Sequence, residues 1–139
     1  MKLDEIEYRK ISEIKKELLY DFYIKAFPLR SEVLFKNWKW ISRYSLSKQE
    51  PLVAIYQKKI IAHAGLISTQ IFYKKTTHNA IWFIDFFILP EFRSLGLGKS
   101  LTNKWMELEG NQFTFCNRDS LKVFKKLDWE QDTNFYKTC

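Results

Sequence analysis

The sequence contains few of the residues that mark specialised classes of chain. Of its 139 residues, two are cysteine, four are glycine and three are proline. Two thiols, Cys116 and Cys139, do not make a disulfide framework and do not stand at metal-ligand spacing, so we expect no metal site. The scarcity of glycine and proline excludes a linker-rich or low-complexity chain.

Long apolar segments are also missing. The longest, residues 81–89, contains Asp85 and is far too short to span a bilayer. The first residues lack the apolar core of a signal peptide. These features predict a cytoplasmic protein with no membrane partner. The length predicts one domain over residues 1–139, whose core buries roughly two-thirds of the surface of the unfolded chain.

Positive charge exceeds negative charge. The chain has 23 Lys and Arg residues against 16 Asp and Glu residues, a net charge of +7. This excess favours an anionic partner, such as nucleic acid, an acidic membrane surface or a polyphosphate cofactor. The basic residues are interspersed with acids, as in residues 13–17, so a solvated surface explains them better than a nucleic-acid patch.

Apolar periodicity predicts an α/β fold of the α+β sandwich type, with a mixed, mostly antiparallel sheet and helices on both faces. Strands are predicted at 6–11, 52–56, 60–72, 81–89, 112–116 and 134–137, and helices at 12–27, 31–41, 98–108 and 120–127.

Several local signals refine this pattern. Ser12 and Ser31 are predicted to cap the first two helices. The inner face of the second helix is predicted to contain Val33, Leu34, Trp38 and Ile41. Polar turns are predicted at 57–59 and 74–79. Gly65, inside a strand, predicts a β-bulge.

The segment of residues 93–100 has two glycines one residue apart, directly after the most apolar strand. It is not a P-loop, because the required first glycine is Arg93, and it is not a dinucleotide fingerprint, because the third glycine is Leu101. A tight turn alone would explain the glycines. However, a buried strand leads into the loop and a helix follows, so backbone N–H groups can bind a pyrophosphate, with Arg93 and Lys99 at the rim.

Residues 88–98 resemble the acyl-CoA motif of the GCN5-related N-acetyltransferase (GNAT) family, which reads hydrophobic-x-Pro-x-x-Arg/Gln-x-x-Gly-x-Gly. Residues 6–27, 52–66 and 117–129 resemble other parts of that family in the same order. The resemblance implies the acyl-CoA N-acyltransferase fold, acetyl-CoA as co-substrate, and acetyl transfer to a small-molecule amine by direct attack. The cofactor-binding residues that it implies are Ile88, Leu89, Pro90, Arg93, Ser94, Leu95, Gly96, Leu97, Gly98, Lys99, Ser100, Asn117, Ser120 and Phe124.

Asp85 is the candidate catalytic residue, because a carboxylate beside the thioester can accept the amine's proton or hold the amine. Residues 84–88 resemble a strand of the spermidine/spermine N-acetyltransferases, with Ile84 in place of the first of two acids. Binding of the acceptor is therefore preferred to the role of general base. The structural alternative is an aspartate paired with a buried arginine or with a backbone N–H group. His63 is a second candidate base or a hydrogen-bonded core residue, and His78 is expected on the surface.

Phe124 stands where the family's late helix has a tyrosine that protonates the leaving thiolate. Tyr136, Ser120, Cys116 or water could substitute for it, or the thiolate could leave unassisted. Residues 117–129 also resemble a subgroup found among surface-polysaccharide biosynthesis functions, in which phenylalanine is usual at this place. The resemblances imply an amino sugar or a polyamine as acceptor.

Two other functions stay open: a non-catalytic CoA-binding module, because of Phe124, and an RNA-binding protein that uses the basic charge. The family places two strands after the late helix, and this chain has room for about one. We therefore expect that the last strand is missing or is supplied by a second copy in a homodimer.

Overall fold

The computed structural model describes residues 2–108, 111–115, 122, 124–127 and 129–130. They include a five-stranded sheet with the strand order β1-β2-β3-β4-β5. The first four strands pair antiparallel with their neighbours, and β5 is parallel to β4. This confirms the predicted mixed, mostly antiparallel sheet. The strands are β1 (Glu7–Lys10), β2 (Leu52–Tyr56), β3 (Lys59–Tyr73), β4 (Thr76–Ile88) and β5 (Asn111–Thr114).

Four α-helices accompany the sheet within the described ranges: α1 (Lys16–Ala26), α2 (Ser31–Ile41), α3 (Tyr44–Ser47) and α4 (Leu97–Met106). The short α3 was not predicted. Residues 122 and 124–126 are helical, in agreement with the helix expected at 120–127. The strand predicted at 134–137, the proposed dimer edge and both cysteines lie outside the described residues.

Helices cover both faces of the sheet. On one face, the ring of Tyr23 from α1 lies 5.4 Å from that of His63 on β3. On the other face, Trp105 of α4 stacks on Phe83 of β4 with 3.8 Å between ring centroids. All four side chains are buried. These four aromatic residues therefore belong to the core, two on each side of the sheet. Within the described ranges, no helix has both the length and the apolar character needed to cross a bilayer.

Two tight turns join the long strands. Gln57 and Lys58 have φ values of 49° and 64°, and Lys74 and Lys75 have 49° and 65°. Positive φ at both central residues is typical of a two-residue type I′ turn, which matches the twist of the strands. The prediction of a turn over 74–79 is wrong in extent. Thr76 already pairs with Tyr73, so the hairpin of β3 and β4 is longer than its polar sequence indicates.

The predicted helix caps are also wrong. Ser12 lies in a 3₁₀ turn, where its backbone N–H donates to Glu50 Oε1 at 2.7 Å, and α1 begins only at Lys16. The cap position of α2 is Arg30, and Ser31 is already helical. Of the predicted inner-face residues of α2, Leu34 is buried and Trp38 and Ile41 pack against the core, but Val33 is 53% exposed and lies outside this stripe.

The bulge predicted at Gly65 is confirmed. The pairing of β3 with β4 shifts by one residue between His63 and Gly65, where β4 contains an extra residue. Asp85 occupies the bulge with φ of 52°. A Cβ atom at position 65 would lie 2.9 Å from the backbone oxygen of Ile84, so only glycine leaves room for the bulged strand. The bulge matters for the site because it places Asp85 on the face covered by α1 and α2.

Candidate active site

The loop between β4 and α4 presents the start of a helix to solvent. After a 3₁₀ turn at Pro90–Phe92, the backbone is left-handed at Ser94 (φ 66°) and Gly96 (φ 84°). Gly96 is the N-cap of α4 and has no side chain with which to cap it. The first-turn amides of α4 are therefore directed at whatever lies in front of the helix. A phosphate group fits this position, since a helix start stabilises negative charge.

The charges around the loop favour an anion. The first turn of α4 contains no acidic residue. Arg93 is exposed, its Nε donates to the carbonyl of Ile88 at 2.8 Å, and its guanidinium lies over the ring of Phe87 at 5.1 Å. These contacts fix the side chain beside the end of β4. Within the part of the chain that the structure describes, the Nη1 and Nη2 groups of Arg93 make no hydrogen bond to the protein. Lys99 is exposed in the first turn, and Ser100 shares a hydrogen bond with Tyr8 of β1.

The strand before the loop extends beyond its parallel neighbour. Among the described residues, β5 pairs with β4 only from Ala80 to Phe83. The hydroxyl of Thr114, the last residue of β5, donates to the carbonyl of Phe83 at 2.8 Å. Residues 84–88 thus continue β4 past the end of that pairing. An extended ligand can approach β4 along this side.

The hydrogen bonds at the end of β4 indicate which backbone groups face this side. The N–H of Leu89 donates to the carbonyl of Ile61 at 2.9 Å, which directs it toward β3. Successive residues of a strand point their backbone groups to opposite neighbours. The N–H and carbonyl of Ile88 therefore face away from β3, toward the side where β5 ends. Leu89 is itself buried, and Pro90 has no N–H.

The carboxylate of Asp85 makes a bidentate ion pair with Arg30. Nη1 of Arg30 lies 2.7 Å from Oδ1, and Nη2 lies 3.2 Å from Oδ2. The aspartate side chain is 13% exposed and the arginine side chain 49% exposed. Asp85 sits on β4 and Arg30 at the start of α2, so the pair spans the sheet and the connection between α1 and α2. The hydrogen bond to Asp85 raises the pKa of Arg30, which stays charged.

Two hydrogen bonds of the buried His63 link the bulge at Asp85 to Tyr23 of α1. His63 Nδ1 lies 2.9 Å from the backbone oxygen of Asp85, and Nε2 lies 3.2 Å from the hydroxyl of Tyr23. A carbonyl only accepts, so Nδ1 carries the proton and Nε2 accepts from Tyr23. Burial lowers the pKa of His63, and burial together with the charge of Asp85 raises the pKa of Tyr23. Both ring nitrogens of His63 are engaged, so its role is structural rather than that of a base. His78 is exposed, as expected.

We expect the buried His63 to make the stability of the protein depend on pH. The pKa of His63 is lowered on folding, so below its ordinary value of about 6.5 the unfolded chain binds more protons than the folded chain. Stability should therefore fall as the pH is lowered from 7 toward 5, by up to about 1.4 kcal/mol per pH unit from this group. Urea unfolding of the wild type and of His63→Gln across this range measures the difference in slope.

The exposed histidine provides the matched control for that experiment. His78→Gln removes the same kind of group from the surface and should keep the wild-type slope. If His63→Gln and the wild type lose stability in parallel on acidification, His63 is not the neutral, buried group described above.

An aromatic cluster lies on the α4 face of the same region. The ring of Phe124 is buried and lies 4.6 Å from that of Trp129, which in turn lies 5.6 Å from Phe83. Trp129 Nε1 contacts Met106 Sδ at 3.2 Å. Phe124 thus belongs to the core and offers no proton. The predicted cofactor contacts Asn117 and Ser120, and the alternative donors Cys116 and Tyr136, lie outside the described residues.

The structure brings the loop of residues 93–100 and Asp85 to the same end of β4. It adds Arg30 and Tyr23, which the sequence analysis did not single out. Arg30 is 55 positions away from its partner, and it stands in the short connection between two helices. No local pattern marks such a residue as part of a site.

Comparisons with known proteins agree with this geometry. The model of the acetyltransferase (GNAT) family matches residues 13–129. Among solved structures, an acetyltransferase from Trypanosoma brucei superposes with a TM-score of 0.71 at 18% identity, over 96% of this chain and 99% of that one. A predicted acetyltransferase from Clostridium acetobutylicum, solved with acetyl-CoA, gives 0.63 at 15% identity, over 96% of each chain.

A glucosamine-6-phosphate N-acetyltransferase from Arabidopsis thaliana also has the same fold. Its TM-score is 0.63 at 16% identity, over 96% of this chain and 97% of that one. The comparison with curated protein sequences gives no significant match. At these identities the structural similarity establishes the fold, and the match to the family model establishes membership of the family.

Proposed function

The chain belongs to the GNAT family of acetyltransferases, and from this premise we propose that it transfers an acetyl group from acetyl-CoA to the amine of a small molecule. Acetyl-CoA dependence follows from the family. The small-molecule acceptor and the residue roles below are the proposed part. The observation that carries the proposal is the position of the Gly96 helix start and the Asp85 carboxylate at the same end of β4, on the strand segment that extends past β5.

The proposed cofactor contacts follow from the backbone. Amides at the start of α4 would receive the pyrophosphate, with Arg93 and Lys99 adding charge-assisted bonds. The N–H of Ile88, which faces away from β3, would pair with the pantetheine arm along β4. Phe124 and its aromatic neighbours would form an apolar wall. The full proposed set is Ile88, Leu89, Pro90, Arg93, Ser94, Leu95, Gly96, Leu97, Gly98, Lys99, Ser100, Asn117, Ser120 and Phe124.

The proposed chemistry requires a neutral amine beside the thioester. Acetyl-CoA supplies an activated carbonyl carbon, to which the amine nitrogen bonds as the carbon–sulfur bond breaks. An alkylamine with a pKa near 10 must first lose a proton, at a cost of about 1.4 kcal/mol per pH unit below that pKa. We assign to Asp85 the binding of the acceptor ammonium and the passage of its proton to water. CoA leaves as the thiolate, which takes its proton from water, so no step requires Phe124 to donate one.

The finer identity of the acceptor rests on resemblance. Amino sugars and polyamines are the two classes that the sequence implies. The Arabidopsis protein that shares the fold is, by its name, an amino-sugar phosphate acetyltransferase. That relationship supports an amino sugar only as an analogy, since one fold hosts many substrates.

Mass spectrometry tests the proposal directly. The protein is incubated with isotopically labelled acetyl-CoA and a metabolite extract, and labelled N-acetyl products are sought together with free thiol release. We expect at least one labelled acetyl-amine that is absent when acetyl-CoA or protein is omitted. Binding of acetyl-CoA without any such product would instead support a non-catalytic CoA-binding module. Salt-dependent RNA binding without CoA binding would support the third alternative.

A further inference from the structure

The pairing of Arg30 with Asp85 constrains what the proposed acceptor can be. If Asp85 holds the acceptor ammonium, Arg30 is already at the same carboxylate, with its nearest contact at 2.7 Å. The acceptor must therefore share the carboxylate with a guanidinium or displace it. This makes Arg30 part of the acceptor site, on the condition that the proposed function is correct.

The guanidinium has bonding capacity left after it binds Asp85. It carries five N–H donors in a planar fork, and the ion pair uses one donor on each of its two terminal nitrogens. The side chain is half exposed, and within the described ranges its hydrogen bonds are to Asp85. The remaining donors can bind an anionic oxygen group beside the carboxylate without any loss of the existing pair.

Electrostatics disfavours an acceptor that is only cationic. The charge of Asp85 is balanced by Arg30, while the buried His63 beneath it is kept neutral, because burial lowers its pKa. A bare ammonium group would therefore meet a site of no net charge and a nearby guanidinium. The whole chain, at +7, also repels polycations at long range.

An acceptor that carries both charges is complementary to this pair. Its ammonium can contact Asp85 while its anionic group contacts Arg30, so that each charge has an opposite neighbour. Both carboxylate and phosphate oxygens match the fork of a guanidinium. We propose that the acceptor is a small amine that also carries a carboxylate or phosphate group, and that Arg30 binds this group. Among the acceptors implied by the sequence, this favours an anionic amino sugar over a polyamine.

Matched pairs of acceptors test this inference. The kcat/KM for thiol release is measured for glucosamine 6-phosphate against glucosamine, for an α-amino acid against its carboxamide, and for spermidine. For the wild type we expect the anionic member of at least one pair to exceed its partner roughly 10- to 100-fold, the size of one charge-assisted contact. The pair with the larger ratio identifies phosphate or carboxylate as the group recognised.

The variant Arg30→Gln should abolish this preference. The ratio of kcat/KM between the anionic acceptor and its partner should fall to about one. The kcat/KM for spermidine should rise, because the Asp85 carboxylate is no longer neutralised. Loss of an arginine with only a structural role would not abolish a preference between substrates. Arg9→Gln is the matched control: it removes the same charge from a surface ion pair on β1 with Glu7 and should leave the ratios unchanged.

The opposite results distinguish a failure of the role proposed for Arg30 from a failure of the proposed acetyl transfer. Wild-type turnover that favours uncharged or cationic amines, or an unchanged ratio in Arg30→Gln, overturns the role of Arg30 and leaves acetyl transfer intact. If Arg30→Gln does not fold, the wild-type ratios alone decide. If acetyl-CoA binds but neither the extract nor any paired amine is acetylated, the proposed function fails, and this inference fails with it.

Discussion

Replacement of Gly96 by aspartate is expected to abolish the stabilisation of the protein by acetyl-CoA while the unliganded protein stays folded. Gly96 caps α4 with φ of 84°, a conformation that aspartate tolerates better than most residues. An aspartate at this position is also a good N-cap, so its carboxylate would bind the first-turn amides itself. The pyrophosphate would then meet a negative charge and occupied donors.

Thermal unfolding measures this effect. At a ligand concentration of about 100 times Kd, binding to the native state alone stabilises by about 2.7 kcal/mol, which corresponds to a shift in Tm on the order of 5–10 °C. We expect that shift in the wild type and none in Gly96→Asp. Asn103→Asp adds the same charge to an exposed position of α4 and should keep the shift. A full shift in Gly96→Asp would remove the loop from the cofactor site.

Replacement of Asp85 by asparagine is expected to lower turnover by roughly 10²- to 10⁴-fold, the range typical of a lost acid–base group. Asparagine keeps the shape of the side chain and accepts the left-handed backbone of the bulge, where φ is 52°. It loses the charge that would hold the ammonium and the lone pair that would take its proton. The stabilisation by acetyl-CoA should not change, because the loop of residues 93–100 is untouched.

Two measurements separate chemistry from stability for Asp85→Asn. Specific activity is compared with the midpoint of urea unfolding, and Asp21→Asn, the same change at an exposed position of α1, serves as the control with wild-type turnover. Loss of stability without loss of specific activity would mean that Asp85 serves only to bind Arg30.

The glycine loop could be predicted from the sequence because every determinant is local. A run of apolar residues, Pro90, two glycines and a following helical pattern lie within about two dozen positions. The same holds for the bulge at Gly65, since a glycine inside a strand indicates a close backbone approach. These features depend on backbone geometry that a few neighbouring residues determine.

The acceptor side could not be predicted because its contacts join distant positions. Arg30 reaches Asp85 across 55 positions, and Tyr23 reaches His63 across 40. The predicted cap at Ser12 failed for a related reason: the backbone N–H of Ser12 donates to Glu50, which is 38 positions away. Tertiary hydrogen bonds of this kind override local capping preferences. They cannot be predicted from the local patterns of a single sequence.

A crystal structure of the protein with bound CoA is the sharpest test of the proposed cofactor site. We expect the pyrophosphate to accept hydrogen bonds from the amides at the start of α4, next to Gly96. We also expect the pantetheine arm to run along residues 84–88 of β4, with its thiol nearer to Asp85 than to Arg93. CoA bound elsewhere on the sheet, or bound at the loop with its thiol directed away from Asp85, would contradict the proposed site.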